Sequence, residues 1–168
     1  MFKDYSILLV EDDKNMQEYM RHILEEECKE FIVADDGDEG LEMYRIYKPN
    51  IVISDLNMPM MNGISLSKEI KRDNPIQPII LLTAFGKIEE LQEAINIGIN
   101  AYISKPIESI DILFNTMKKL LNQVEQKNKN NSTNKTEVNS SELKDLICDI
   151  LHDNNEYRDY DSLKGIVK

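Results

Sequence analysis

The chain has 168 residues, with 31 Asp and Glu against 20 Lys and Arg, for a formal charge of −11 and a pI near 4.7. That balance argues against the broad basic patch that neutralises phosphates, and so against direct nucleic-acid binding. Apolar residues make up 41%, enough for a buried core. No apolar run approaches the roughly 18 residues of a membrane span, and the start, Met1-Phe2-Lys3-Asp4, lacks a signal-peptide layout. Cys28 and Cys148 form no CxxC pair. The expectation is a cytoplasmic protein in a reducing setting.

In chain order, short apolar runs alternate with segments of helical period. The runs are Ser6 to Val10, Phe31 to Ala34, Ile51 to Ile53, Ile79 to Leu82 and Ala101 to Ile103. Each is mostly aliphatic or β-branched, without polar alternation, as expected of strands covered on both faces. A first helix is expected where Met16, Tyr19, Met20, Ile23 and Leu24 recur at three- and four-residue steps. Leu41 to Tyr47 suggests a second, ended by Lys48-Pro49, and Ile64, Leu66 and Ile70 a third. Leu91, Ala94, Ile95 and Ile97 suggest a fourth, with Gly98 as its C-terminal cap. Ile110, Leu113, Phe114, Met117, Leu120 and Leu121 suggest a fifth. Strands alternating with helices in this way give an α/β domain with a parallel sheet over residues 1–121.

Composition changes after Leu121. Residues 122–141 are polar and rich in Asn and Lys, and read as a flexible linker. Residues 142–168 hold one short amphipathic helix and a tail, with Leu143, Leu146, Ile147, Ile150 and Leu151 on one face. A helix of about three turns is not stable alone and needs a surface on its own domain, a second copy or a partner. Most of the acid excess, −9, lies before this boundary.

In a parallel sheet, functional groups collect at the carboxyl ends of the strands. Glu11, Asp12 and Asp13 follow the first run, and Asp55 and Asn57 the third. Thr83 follows the fourth, and Lys105-Pro106 the fifth. Asp12, Asp13 and Asp55 brought together would repel unless a cation intervened, and Mg²⁺ suits oxygen ligands on short loops. A carboxylate beside such an ion can serve as a phosphoryl acceptor, with Lys105 as countercharge and the Thr83 hydroxyl for a phosphoryl oxygen. Taken singly, these residues have plainer explanations. Asp12 and Asp13 could be a helix N-terminal pair favoured by the dipole, Asp55 a turn residue, and Tyr102 simply core.

Val10-Glu11-Asp12-Asp13, Ser54-Asp55-Leu56-Asn57-Met58-Pro59, Leu82-Thr83-Ala84 and Tyr102-Ile103-Ser104-Lys105-Pro106 together resemble the receiver domain of two-component response regulators, over residues 3 to 121. The resemblance implies a doubly wound, flavodoxin-like five-stranded sheet of order 2-1-3-4-5. It implies that Asp55 accepts a phosphoryl group from a sensor histidine kinase or histidine phosphotransfer protein. Asp13 would then bind Mg²⁺ directly, Asp12 through water, and Asn57 through its backbone carbonyl. Thr83 and Lys105 would contact the phosphoryl group, and Tyr102 would be the aromatic switch. The Lys105-Pro106 bond would be cis. The implied output is a change in the face formed by helix 4, strand 5 and helix 5, toward a homodimer or an unknown downstream protein. Phe85 stands where many members carry a polar residue. On this reading the chain is a phosphoacceptor switch and not a turnover enzyme. One rival is a metal-dependent phosphohydrolase, which would want an acid where Asn57 stands; another is an adaptor that is never phosphorylated.

Overall fold

The computed structural model describes residues 1–84 and 88–130, with side chains at 1–84 and 92–127. Phe85, the end of the expected linker and the 142–168 segment lie outside the described residues. Five parallel strands form one sheet: β1 (Phe2–Val10), β2 (Cys28–Ala34), β3 (Ile51–Asp55), β4 (Ile79–Thr83) and β5 (Ala101–Ser104). Their order across the sheet is β2-β1-β3-β4-β5, as the resemblance implied. The helices alternating with them are α1 (Lys14–Leu24), α2 (Gly37–Tyr47), α3 (Gly63–Asp73), α4 (Ile88–Ile97) and α5 (Ile110–Asn130).

The strand residues explain the burial. Ile7 to Val10, Ile51 to Ile53 and Ile79 to Leu82 are all fully enclosed. Such side chains each contribute about 1.5–3 kcal/mol relative to exposure. The chain steps from β1 to β2 in one direction and from β2 through β3 and β4 to β5 in the other. With right-handed crossovers, that reversal puts α1 on the sheet face opposite α2, α3 and α4. Ion pairs join the latter three: Arg45 Nε lies 3.0 Å from Asp73, and Lys68 pairs with Glu93.

Local chemistry starts and stops the helices. The carboxylate of Asp13 accepts the N–H groups of Asn15 and Met16 at the start of α1. Asp36 does the same for Glu39 at α2, and Asn62 for Ser65 at α3. Lys48 takes a left-handed conformation (φ +47°) at the end of α2, just before Pro49. Gly98 follows α4 with φ +80°, the conformation that favours glycine.

Several elements run past the apolar pattern, and β2 begins at Cys28, three residues before its apolar run. β1 begins at Phe2, before the apolar run, with a register shift between Phe2 and Ser6. Phe2 is buried and meets Phe114 of α5 edge-on, with ring centroids 5.5 Å apart. α5 continues past Leu121 to Asn130, into the stretch read as linker. Its apolar face stops near Val124, but the polar residues beyond are compatible with helix, and an existing helix extends at one hydrogen bond per added residue. Among the described residues no helix is long and apolar enough to cross a membrane.

Candidate functional site

β1 and β3 are neighbours whose outgoing connections leave in opposite directions across the sheet, and the crevice between their carboxyl ends is where ligands bind in such sheets. The register pairs Val10 with Ser54, Asp55 with Leu82, and Thr83 with Ser104. Glu11, Asp55, Thr83 and Lys105 therefore arrive at one edge because each ends or follows its strand.

Asp55 is the last residue of β3 and is only 7% exposed. Its Oδ1 accepts the backbone N–H of Leu56 at 2.8 Å and lies 3.1 Å from Lys105 Nζ. Its Oδ2 accepts no hydrogen bond among the described residues. The turn behind it is tight. Gly63 donates its N–H to the Leu56 carbonyl at 3.0 Å, and a Cβ on Gly63 would fall 2.2 Å from the Asp55 carbonyl oxygen. The site thus requires glycine there for close approach, whatever the backbone angle.

Lys105 reaches in from the end of β5. Its Nζ donates to Glu11 Oε2 at 2.7 Å, and its backbone N–H bonds the Thr83 carbonyl at 2.7 Å. The Lys105-Pro106 bond is cis. Burial pulls the lysine pKa down, but the hydrogen bond to Glu11 and the charges of Glu11 and Asp55 outweigh it, so the group sits above its ordinary value. Glu11 is almost wholly enclosed. Desolvation raises its carboxyl pKa, and Asp55 adds to this, against the opposing pull of Lys105 and the Asp13 N–H. Thr83 is buried, and its Oγ1 has no hydrogen-bond partner among the described residues. Tyr102 is buried on β5, in register with Leu81.

The carboxylates that converge are Glu11, Asp12 and Asp55, with one oxygen from each within 4.8 Å of the others. Asp13 is not among them. It stands one residue further on, where its carboxylate is engaged in capping α1. The plain helix-start reading thus describes Asp13, whereas Asp12 remains in the cluster. Glu11 belongs to this cluster but is not among the carboxylate ligands expected from the sequence, Asp12, Asp13 and Asp55. One signal was available: an acid one residue before a helix starts is an N-cap, which leaves the two preceding acids for the strand end. Asn57 is exposed on the β3–α3 loop. His22 is exposed on α1 beside Glu18, 3.4 Å away, far along the helix from the cluster. Three oxygen ligands on two strand ends, one of them on a partly exposed loop, fit a hard divalent cation that keeps several waters.

A family model described as the response regulator receiver domain matches residues 7–118, more than half of the chain. The chain belongs to the response regulator receiver family. It is 36% identical over 107 residues to the chemotaxis protein CheY of Halobacterium salinarum, covering 64% of this chain and 89% of that one. It is 34% identical over 121 residues to the transcriptional regulatory protein GlrR of Escherichia coli, covering 72% of this chain but only 27% of that protein. Among solved structures, the receiver domain of Francisella response regulator 1452 is similar, with 30% identity and a TM-score of 0.64. That match covers 71% of this chain and 98% of the other. The receiver domain is thus shared with proteins that are little more than a receiver and with others that carry much else.

Proposed function

We propose that this receiver accepts a phosphoryl group on Asp55 from a phosphohistidine of a sensor kinase or phosphotransfer protein, in a Mg²⁺-dependent step. The observation that carries the reading is Asp55 itself: a nearly buried carboxylate held by Leu56 N–H and Lys105 through Oδ1, with Oδ2 accepting no hydrogen bond among the described residues. Oδ2 attacks phosphorus, the N–P bond breaks, and the departing imidazole nitrogen takes up a proton. An acyl phosphate remains on Asp55.

Asp12, Asp55 and the Asn57 carbonyl are the groups we assign to the cation, with Glu11 replacing Asp13 beside them. When bound, the ion offsets charge on the phosphoryl oxygens. Lys105 supplies the second countercharge. The buried Thr83 hydroxyl, costly to leave unpaired by about 1–3 kcal/mol, gains a phosphoryl oxygen as its partner. Movement of Thr83 then reaches Tyr102, one strand over, and biases the α4–β5–α5 face toward a second copy or a downstream protein. A phosphohydrolase reading finds less support, because Asn57 lacks the acid that would activate water.

The test is intact mass after incubation with Mg²⁺ and phosphoramidate. The expected result is a gain of about 80 Da, one phosphoryl group, on the wild type and none on Asp55→Asn. No adduct on the wild type sinks the reading.

A further inference from the structure

Gln17 is a polar residue in a place that charge and hydropathy do not explain. It lies on the first turn and a half of α1, yet is only 8% exposed. Its side-chain amide is fully employed. Nε2 donates one hydrogen to the backbone carbonyl of Glu11 and the other to Asp35 Oδ1 at 2.8 Å, while Oε1 accepts from Lys14 Nζ at 3.3 Å. Asp35, just beyond β2, is held in turn: Lys14 pairs with its carboxylate, and its N–H donates to Glu39 Oε2 at 2.7 Å. The N–H of Glu11 bonds the Ala34 carbonyl at 3.1 Å. Both polar groups of the Glu11 backbone are therefore fixed to the end of β2, one directly and one through Gln17.

We propose that Gln17 is a positioning residue for the acidic end of β1: its amide ties the Glu11 carbonyl to Asp35 and so sets the aim of the Glu11 and Asp12 carboxylates. The residue type follows from the geometry. Two acceptors, a carbonyl and a carboxylate, face the same point, so the group between them must present two N–H donors. A glutamate there would set oxygen against oxygen, and an apolar residue would leave a carbonyl without its partner. The Glu11 carbonyl belongs to the peptide that joins Glu11 to Asp12. Freedom at that peptide swings both carboxylates, which lie within 4.8 Å of Asp55. Groups that orient ligands from behind typically govern metal affinity by tenfold or more.

This inference rests on the phosphoacceptor reading, and calorimetric titration with Mg²⁺ alone separates the two. Gln17→Met keeps the volume and removes both donors. Its Mg²⁺ dissociation constant is expected to rise about tenfold, while Gln17→Arg, whose guanidinium can serve both acceptors, stays near wild type. Asp35→Ala, at an exposed position that folding tolerates, releases one tether and is expected to weaken Mg²⁺ in the same direction but less. It carries the test should Gln17→Met fail to fold. A purely structural glutamine would lower the urea midpoint of the metal-free protein and leave Mg²⁺ affinity alone. Mg²⁺ affinity within about twofold of wild type in both Gln17→Met and Asp35→Ala, a margin of roughly 0.4 kcal/mol, overturns the proposal even if the wild type is phosphorylated normally. A wild type that neither binds Mg²⁺ nor gains the adduct removes the phosphoacceptor reading beneath it.

Discussion

Lys105 holds two carboxylates at once, 2.7 Å from Glu11 and 3.1 Å from Asp55. It therefore occupies, in charge terms, part of the position that a divalent cation would take. Lys105→Met should bind Mg²⁺ more tightly than wild type, because a competing cation is gone, and yet react with phosphoramidate at least about 100-fold more slowly, because the phosphoryl oxygens lose a countercharge. Calorimetry and the rate of adduct formation check the two halves; a fall in both together would refute the competition. Asp13 and Glu11 make a second contrast at the same scale. Asp13→Ala should cost about 1 kcal/mol of stability in urea unfolding through loss of the α1 cap, with Mg²⁺ affinity unchanged. Glu11→Gln should weaken Mg²⁺ instead. These adjacent acids carry the same charge, so in the sequence only their place relative to the start of α1 separates them. Asp55, Thr83 and Lys105 were legible because each is the polar residue that ends or follows an apolar strand.

At the scale of elements, the loops are built around glycine for two different reasons, and substitution distinguishes them. Gly63→Ala places a methyl group 2.2 Å from the Asp55 carbonyl oxygen. Backbone must move, at about 1–3 kcal/mol, and the movement is applied to the residue that would be phosphorylated. Gly98→Ala meets nothing within 4 Å and strains only the backbone angle, φ +80°, for about 1–2 kcal/mol. Urea unfolding should report similar losses for both, while adduct formation should fail in Gly63→Ala and persist in Gly98→Ala. The strands and helices themselves could be read from apolar runs and period because nearly all of them bury an aliphatic face in the sheet. What escaped that reading has causes outside the local apolar pattern. The start of β1 is secured by Phe2 against Phe114, a contact between residues distant in the chain. The last turns of α5 bear no apolar stripe, and Gln17 is polar and buried through bonds to β1 and β2 that no local pattern announces.

Across the whole molecule, net charge of −11 should favour protonated lysines everywhere, and one lysine runs against it. Lys71 of α3 is nine-tenths buried at the edge of the sheet opposite the acidic cluster. Its Nζ donates to Asn100 Oδ1 at 3.1 Å and to the Pro75 carbonyl at 3.3 Å, and no carboxylate pairs with it among the described residues. Asn100 Oδ1 also accepts the N–H of Ile79 at 3.0 Å, so this one contact gathers α3, the start of β4 and the start of β5. Burial, with a smaller push from Lys127 on α5, lowers the Lys71 pKa to about 8. The unfolded chain then holds the proton more tightly than the folded one, and between about pH 8 and pH 10.5 unfolding takes up a proton. Stability from this group is therefore lowest below pH 8 and rises with pH through that window. From pH 7.5 to 9.0 the wild type should gain about 1 kcal/mol relative to Lys71→Met, in which the amide of Asn100 keeps Ile79 and no charge is buried. Urea unfolding of both proteins at the two pH values reads the difference directly. A constant gap between them would mean that Lys71 keeps its proton on folding, and that the negative field of the molecule outweighs its burial.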